Sequence, residues 1–532
     1  MTAATAGTGR LIRFILRRDR VRLPVWILAI GFTVLGSVSS FAATYPTQAD
    51  RQARAAVLDS GIARLFVGPG YGSDRYTFGA MTANELLPSA AIAVALMSVF
   101  LLVRHTRTEE ESGRAELVRA TVVGRHAPLA AALIVVAAAH VVLFAILALG
   151  LPAALEGLSP AGSIAFAAAL LGVGLVFEGV AALIAQLTVG ARSALGISAV
   201  VVGVTYLIRA FGDMTDTFLP WLSPFGWATE MRAYVDERWW PLGVSIAATA
   251  VLIAATVAIN RRRDVGAGII ADRPGAAEAA PRLRTPAALA RRLQRASFLA
   301  WLIPVFLLGL LYGSIAQDAA SFYEDVDALK DYVARVGAAA PIEQFLALST
   351  FIAALVAVGF AIQSALRLPT EESEHRAEPV LATPVGRSPW MWSHLTIALV
   401  GSVAMLVASG LGFGLATAIA TGDADALPRL VAASLAYTPA LWVFVGVVAA
   451  LFGAIPRFAG LAWAALGAIV FVGFLGPLLQ LPDWMFQVSP LEHVPRMPVA
   501  DFDVLPELVL TAIAAGLLAI GVVTFRRRDL VG

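Results

Sequence analysis

Long apolar runs, separated by short charged segments, dominate the sequence. Twelve of these runs approach the roughly 20 residues that a helix needs to cross about 30 Å of hydrocarbon. In the first half of the chain the predicted spans are 23–43, 81–103, 128–151, 162–189, 195–211 and 241–259. In the second half they are 297–316, 346–366, 390–421, 428–453, 457–480 and 505–525. The pattern predicts an all-α polytopic membrane protein with about twelve transmembrane helices.

The charges between these runs predict the orientation of the chain. Arginine accumulates before the first span, between the sixth and seventh spans and after the last span, whereas the loop 317–345 is mainly acidic. Because positively charged flanks stay in the cytoplasm, both termini and the central linker are expected there. Arg10, Arg13, Arg17 and Arg20 recur at helical spacing. This spacing predicts an amphipathic helix at the membrane interface, with a plain basic anchor as the alternative.

Composition supports the membrane assignment and argues against several other kinds of site and partner. Hydrophobic residues make up 59% of the chain and charged residues 14%, against about 25% charged in soluble domains. The chain has no cysteine, which excludes disulfides and thiolate metal sites. A formal net charge of +2 gives no reason to expect a nucleic-acid partner, and no metal site is predicted.

An internal repeat divides the chain into two halves. The segments 108–125 and 370–387, here called the first and second repeat loops, align without gaps and are identical at twelve of eighteen positions. Shorter matches follow, "SP" at 223 and 489 and "RRRD" at 261 and 526. The predicted organisation is a six-span half at 1–265, a cytoplasmic linker at 266–296 and a second six-span half at 297–532. An even number of spans per half makes the halves parallel repeats.

Each repeat loop has the pattern of a short charged helix. Thr108 is a predicted N-cap, and Glu110–Arg114 and Glu372–Arg376 are predicted ion pairs at i,i+4. Pro379 is expected to break or kink the second helix. Duplication of an ordinary solvated loop is one explanation for the likeness. The alternative is a surface that docks a partner twice, through the charged residues Glu109, Glu110, Arg114, Glu116, Glu371, Glu372, Arg376 and Glu378.

Several motifs together resemble a known transporter family. "TEEESGRAELVRATVVGR", "LSPFGW", "RWWPL", "SPLEHVPRMP" and the closing "RRRDL" are similar to the ABC type-2 permeases of actinobacterial polyketide-antibiotic exporters, the tetronasin type. The resemblance covers nearly the whole chain. It implies the plasma membrane of a bacterium, and export of hydrophobic or amphiphilic compounds such as drugs, polyketide antibiotics or lipids. It also implies coupling helices in the repeat loops, short re-entrant helices between spans five and six, and a cavity lined mainly by spans two, five, eight and eleven. The second loop departs from the pattern at 373–375 and Pro379, so the two loops are not expected to be equivalent.

The chain has no nucleotide site of its own. A Walker A loop needs a lysine after glycine, and the one lysine, Lys330, follows Leu329. The expectation is therefore a non-enzymatic permease with no cofactor, in membrane lipid, whose ATP and Mg are bound by two copies of a cytoplasmic ABC ATPase subunit. The rival hypothesis is a major-facilitator-like secondary multidrug transporter, driven by an ion gradient. A membrane-embedded lipid-modifying enzyme has less support, because no His, Asp or Ser constellation is visible.

Polar and aromatic groups within the spans are candidates for the substrate path or its gate, because charge in hydrocarbon is costly. For Glu178 a packing role is equally consistent, and Glu85 is close enough to the outer surface to reach the headgroups. Arg209 could either snorkel to the interface or pair with Asp213. Aromatic residues near the outer surface are also typical of interfacial anchoring. The candidates are Glu85, Glu178, Tyr206, Arg209, Phe225 and Trp227.

Overall fold

The structure is a computed structural model that describes residues 3–58, 64, 67–263, 268, 278, 280, 283–314, 316, 341–475 and 482–529. Within these residues the ordered secondary structure is helical, and no described residue is in a strand. The loop 317–340, which carries most of the predicted outer acidic charge, lies outside the described residues, as does most of the linker.

Twelve described helices are long and apolar enough to cross a membrane, which confirms the predicted number. In the first half they are Arg22–Thr44, Phe78–Glu111, Ala127–Ala154, Pro160–Leu187, Ala191–Thr215 and Trp240–Arg262. In the second half they are Pro286–Ser314, Ile342–Ser373, Arg387–Thr421, Ala426–Ala454, Pro456–Gly473 and Val504–Arg527. The fifth helix extends beyond the predicted 195–211 at both ends, and Arg209 and Asp213 are buried within it.

The boundary between linker and second half differs from the prediction. The seventh helix begins at Pro286, so 286–296 belongs to this helix rather than to the linker. Proline is well suited to a first helical position, because the amide hydrogen there has no helical partner. In the first half the corresponding piece is a separate N-terminal helix, Thr8–Arg18, which precedes the first span. Exposed Phe14 and Leu16 lie beside exposed arginines on this helix, as expected of an interfacial segment.

The helix contacts divide the chain into two compact units, 1–275 and 276–532. In the first unit the fourth span is central and packs against the second, third and sixth spans. In the second unit the seventh span packs along the ninth, and the tenth along the twelfth. Lipid tails are as apolar as leucine, so helices associate in a membrane mainly through close packing at small residues. Glycines occupy these contacts in both units.

Short helices follow the fifth span of each unit. They are Leu219–Leu222 and Pro224–Thr229 in the first unit, and Asp483–Gln487 and Pro490–His493 in the second. The repeated Ser–Pro pair begins one of them in each unit. In the first unit the Ser223 hydroxyl accepts a hydrogen bond from the Phe225 amide, as an N-cap does.

Tyr234 packs closely against two helices at one end of the first unit. Its ring lies where side chains at Gly79 and Gly162 would otherwise be, and its hydroxyl is 2.9 Å from the Ser163 hydroxyl. Burial raises the pKa of Tyr234 to about 12, so this hydroxyl stays protonated at neutral pH. The two glycines are thus needed for close approach of the ring rather than for an unusual backbone angle.

Replacing Gly412 by leucine is expected to destabilise the second unit. A Cβ at Gly412 would meet the Phe306 carbonyl of the seventh span, and backbone cannot give way as a flexible side chain does. Overpacking of this kind typically costs about 1–3 kcal/mol. Thermal unfolding of the purified protein in detergent measures the loss. Gly467→Leu is the matched control, since a Cβ at Gly467 meets nothing within 4 Å, and equal unfolding temperatures would contradict the packing argument.

Candidate functional site

Each repeat loop is two short helices with a break, not the single capped helix predicted. In the first loop the helices are Arg107–Glu111 and Arg114–Arg119; in the second they are Arg367–Ser373 and Ala377–Leu381. The first helix of each pair continues the preceding span. Thr108 therefore is not an N-cap, and its hydroxyl donates to the Val103 carbonyl at 3.4 Å.

The break has the same position in both loops. Gly113 has φ +73° in the first loop, and the aligned His375 has φ +56° in the second. This left-handed conformation is free for glycine and strained for other residues. Pro379 lies after the break, in the first turn of Ala377–Leu381, where no amide hydrogen is needed. The prediction that Pro379 breaks the helix was wrong, because both loops break before it.

An ion pair bridges the break in each loop. Arg114 Nε lies 3.3 Å from Glu109 Oε2. At the aligned positions Arg376 donates two hydrogen bonds to Glu371, both of 3.0 Å. The predicted pairs Glu110–Arg114 and Glu372–Arg376 are replaced by these pairs from the preceding glutamate. The left-handed residue turns the second helix, so the arginine reaches one residue further back than in a continuous helix.

The next glutamate of each loop binds an arginine at the end of the sixth span of its unit. Glu110 Oε1 is 2.5 Å from Arg263 Nη2. In the second unit Glu372 forms a bidentate pair with Arg528, with distances of 2.7 and 2.5 Å. The side chains of Glu110 and Arg263 are only 16% and 3% exposed, and those of Glu372 and Arg528 only 7% and 15%. These four residues therefore form internal contacts.

The arginine at the end of each loop contacts the same helix terminus. Arg125 donates to the Asn260 and Arg263 carbonyls, at 3.1 and 3.0 Å. A cation there satisfies carbonyls left open by the helix and interacts favourably with its dipole.

Arg387 repeats this arrangement in the second unit, donating to the Arg526 and Arg528 carbonyls. Sequence reasoning did not assign Arg125, Arg387, Arg263 or Arg528 to the site. The repeated "RRRD" and the identical last residue of the loops were the signals that pointed to them.

The first loop makes further contacts with its own unit. Glu109 lies 2.5 Å from Arg18 of the N-terminal helix. The buried Asp19 next to it accepts from Arg104 and His105, at 3.2 and 2.7 Å. Glu111 accepts from the Ala191 amide at the start of the fifth span, at 3.1 Å. The first loop is thereby joined to the N-terminal helix, the start of the fifth span and the end of the sixth span.

The exposed apolar surface of each loop lies after the break. In the first loop Glu116 is exposed, Leu117 is 73% exposed and Val122 is 94% exposed. The aligned Glu378, Pro379 and Pro384 are exposed in the second loop. Both surfaces thus present one acid flanked by apolar residues. Of the predicted docking residues, Glu116 and Glu378 are fully on this surface, and Arg114 and Arg376 lie at its edge.

A cavity lies behind each loop, with aligned residues in its wall. Its volume is about 80 Å³ in the first unit and about 320 Å³ in the second. Glu109, Arg114 and Val118 line the first cavity, and Glu371, Arg376 and Val380 line the second. The N-terminal helix closes one cavity and the first turns of the seventh helix close the other, so these two pieces have corresponding positions.

Three of the predicted substrate-path residues pack together inside the first unit. Arg209 Nη1 is 3.2 Å from Asp213, and the Arg209 guanidinium lies 4.6 Å from the centre of the Tyr206 ring. The Tyr206 and Phe225 rings meet edge-to-face at 5.5 Å. The prediction that Arg209 pairs with Asp213 is confirmed. Nearby, the Trp227 indole donates to the Trp221 carbonyl at 2.7 Å.

The two predicted acids have different environments. Glu85 binds Arg54 of the helix Gln48–Leu58 through two contacts of 3.2 and 3.1 Å, a partner that the sequence did not indicate. Glu178 is buried in the fourth span, and its Oε2 has no hydrogen-bond partner among the described residues. Within the same residues no group of three or more acids and histidines is arranged to hold a metal ion.

Comparisons with known proteins match nearly the whole chain. The family model described as "Multidrug efflux system permease Rv1217c, C-terminal domain" matches residues 11–261 and 283–526. The chain is 41% identical over 527 residues to the "Multidrug efflux system permease protein Rv1217c" of Mycobacterium tuberculosis (strain ATCC 25618 / H37Rv). The match covers 98% of this chain and 95% of that relative. The prediction of an efflux permease is confirmed, whereas neither match carries the tetronasin-type assignment.

The left-handed break is expected to respond differently to substitution in the two loops. Gly113→Val forces a branched residue into a strained conformation, at a cost of about 1–2 kcal/mol. His375→Gly relieves such strain and is expected to leave the second loop as stable or more so. Hydrogen exchange of the amides in 107–119 and 367–381 measures local opening. Equal exchange rates in Gly113→Val and the unsubstituted protein would contradict the conformational argument.

Proposed function

The chain belongs to the multidrug efflux system permease family, and from this premise we propose that it is the transmembrane subunit of an ATP-driven ABC exporter. Its cargo is proposed to be hydrophobic or amphiphilic compounds, with drugs as the general class and polyketide antibiotics or lipids as narrower candidates. The observation that carries the proposal is the pair of repeat loops. Both have two short helices with a break, both contact the end of the sixth span of their unit, and both expose an acid beside apolar residues.

Two exposed surfaces of similar character favour two copies of one partner. Each surface offers an acid beside apolar residues, Glu116 with Leu117 and Val122, and Glu378 with Pro379 and Pro384. Apolar residues so exposed at a loop, outside any apolar span, are more typical of an interaction site than of a solvated connection. The proposed partner is a cytoplasmic ABC ATPase subunit that binds ATP and Mg. The chain itself has one lysine, Lys330, without Walker A context.

The charges support a cytoplasmic position for both loops. In the first unit the loop contacts the arginine-rich N-terminal helix and the end of the sixth span. In the second unit the loop contacts the arginine-rich end of the last span. Arginine-rich flanks favour the cytoplasmic side, so we place both termini there, in the plasma membrane of a bacterium.

Transport would follow from movement of these loops. Closure of the two ATPase subunits on ATP pushes on the exposed surfaces, and the spans joined to each loop follow. We propose that the substrate path then opens to the other side of the membrane. An apolar lining with few fixed charges suits hydrophobic cargo.

The buried Glu178 is the one observation that favours the secondary-transporter alternative. Glu178 is a buried acid whose Oε2 lacks a hydrogen-bond partner among the described residues, and proton-coupled transporters use acids within spans. If a proton gradient drove efflux, Glu178 would be the best candidate for the residue that binds the transported proton. Glu178→Gln keeps the shape of the side chain and removes its charge.

Reconstitution into lipid vesicles is the main test of the proposed function. With a purified candidate ATPase and ATP, the permease is expected to transport a fluorescent hydrophobic drug, and Glu178→Gln is expected to transport it equally well. A proton gradient without ATPase is expected to drive no transport, because the chain then has no coupled energy source. Transport under the gradient alone, lost in Glu178→Gln, would instead establish the secondary transporter.

Charge reversal on the exposed surfaces is expected to weaken partner binding. Glu116→Arg combined with Glu378→Arg replaces a negative charge by a positive one at both contacts. Like charges that meet in an interface cost up to several kcal/mol of binding free energy. Co-purification with the ATPase measures the loss. The control is Glu156→Arg, an exposed acid in the loop between the third and fourth spans. Undiminished co-purification of the double variant would remove the docking surface from the proposal.

A further inference from the structure

The same ion pair joins the repeat loop to the sixth span of each unit. We propose that Glu110 and Glu372 are positioning residues that transmit loop movement to the sixth and twelfth spans, rather than residues that bind the partner. This inference rests on the proposed function, in that the movement comes from an ATPase. The pairs Glu110–Arg263 and Glu372–Arg528 are here called the span latches.

The position of the latch within the loop favours transmission. Each latch glutamate lies before the break, on a helix continuous with the preceding span, whereas the exposed apolar surface lies after the break. The adjacent glutamate, Glu109 or Glu371, binds the arginine beyond the break. A force on the exposed surface therefore reaches the latch helix through the break and its bridging ion pair.

The latch is built as a stiff connection. Two oxygens of Glu372 meet two nitrogens of Arg528, and such bidentate pairs fix direction as well as distance. The Arg528 guanidinium also lies over the rings of Phe452 and Phe525, at 4.9 and 5.1 Å. Phe452 belongs to the tenth span, so the arginine is held from several sides. Low exposure limits screening of the pair by salt.

A second contact holds the same helix end in register. Arg387 at the end of the second loop contacts the carbonyls of Arg526 and Arg528, as Arg125 contacts those of Asn260 and Arg263. Each loop thus meets the sixth span of its unit through a glutamate near its start and an arginine at its end. Movement of the loop as a body must move that terminus with it.

This assignment also explains the retention of Glu110 and Glu372 in the two loops. Docking alone would require exposed residues, yet these two acids are largely buried. Their aligned partners lie in the repeated "RRRD" segments, which are remote in sequence from the loops. Both partners of a contact are retained in both halves, as expected when the contact itself is needed.

The first part of the test measures the latch as a physical link. The chain has no cysteine, so Ser373→Cys with Arg527→Cys introduces the only two thiols for spin labels on exposed positions. In the permease alone, in lipid nanodiscs, the distance distribution is expected to be narrow. Glu372→Gln is expected to broaden it. An unchanged distribution would overturn the proposal whatever the partner is.

The second part separates transmission from stability. In the reconstituted complex Glu372→Gln, Arg528→Gln and their combination are expected to retain ATPase association and hydrolysis. All three are expected to lower the ratio of drug transported to ATP hydrolysed by a similar factor, roughly three- to tenfold, because either single change already removes the ion pair of the latch. Asp423→Asn with Arg429→Gln removes an exposed ion pair of the same unit and is the matched control.

The outcomes distinguish failure of the latch proposal from failure of the proposed function on which it rests. An unchanged transport ratio in the variants overturns the latch as a transmitting element. A parallel loss of association, hydrolysis and transport, with a lower unfolding temperature, makes the pair merely structural and overturns it as well. If the unsubstituted complex shows no ATP-driven transport, the proposed function fails, and transmission of ATPase movement fails with it. The spin-label result then still decides whether the physical link exists.

Discussion

Hydrocarbon cannot satisfy backbone polar groups, and this constraint organises the whole molecule. Each crossing segment must be a helix, since only there are the amide and carbonyl groups paired within the segment. Charged side chains are then concentrated where helices end, because ionised groups are costly within the membrane. The loops between spans two and three of each unit are such places, and the helix ends that meet there leave carbonyls and amides open. Glu111 at the Ala191 amide and Arg125 at the terminal carbonyls are consequences of that need.

The repeated residues of the loops divide into two kinds. Glu110 and Arg125, with their aligned partners, contact the end of the sixth span of their own unit. Glu116 and Glu378 face outward, with apolar neighbours. A likeness between two copies therefore does not by itself indicate a docking surface, because internal contacts retain residue types equally well. The surface after the break remains the better candidate for a partner, and the residues before the break hold the loop to its spans.

The two units hold their repeat loops through different local structures. Glycine occupies the left-handed position in the first loop and histidine in the second, so only the second carries strain there. The first unit has a separate N-terminal helix held by Asp19, whereas in the second the corresponding turns are fused to the seventh span. The cavity behind the second loop is larger. These differences leave the span latch in place, which suits a contact that both units need.

Much of the fold was predictable from the sequence, because the thickness of the membrane sets the length of apolar runs along the chain. Span number, the twofold repeat and the lack of a Walker A lysine are likewise properties of linear order. Pairing of charges is not such a property. Glu110 has Arg114 at favourable helical spacing, yet it binds Arg263, more than a hundred residues away. That choice follows from a left-handed turn at Gly113 and from the end of the sixth span lying beside the loop. Only the tertiary structure decided it, because local spacing specifies which partners are within reach, and packing of the spans specifies which partner is closest and most shielded from water.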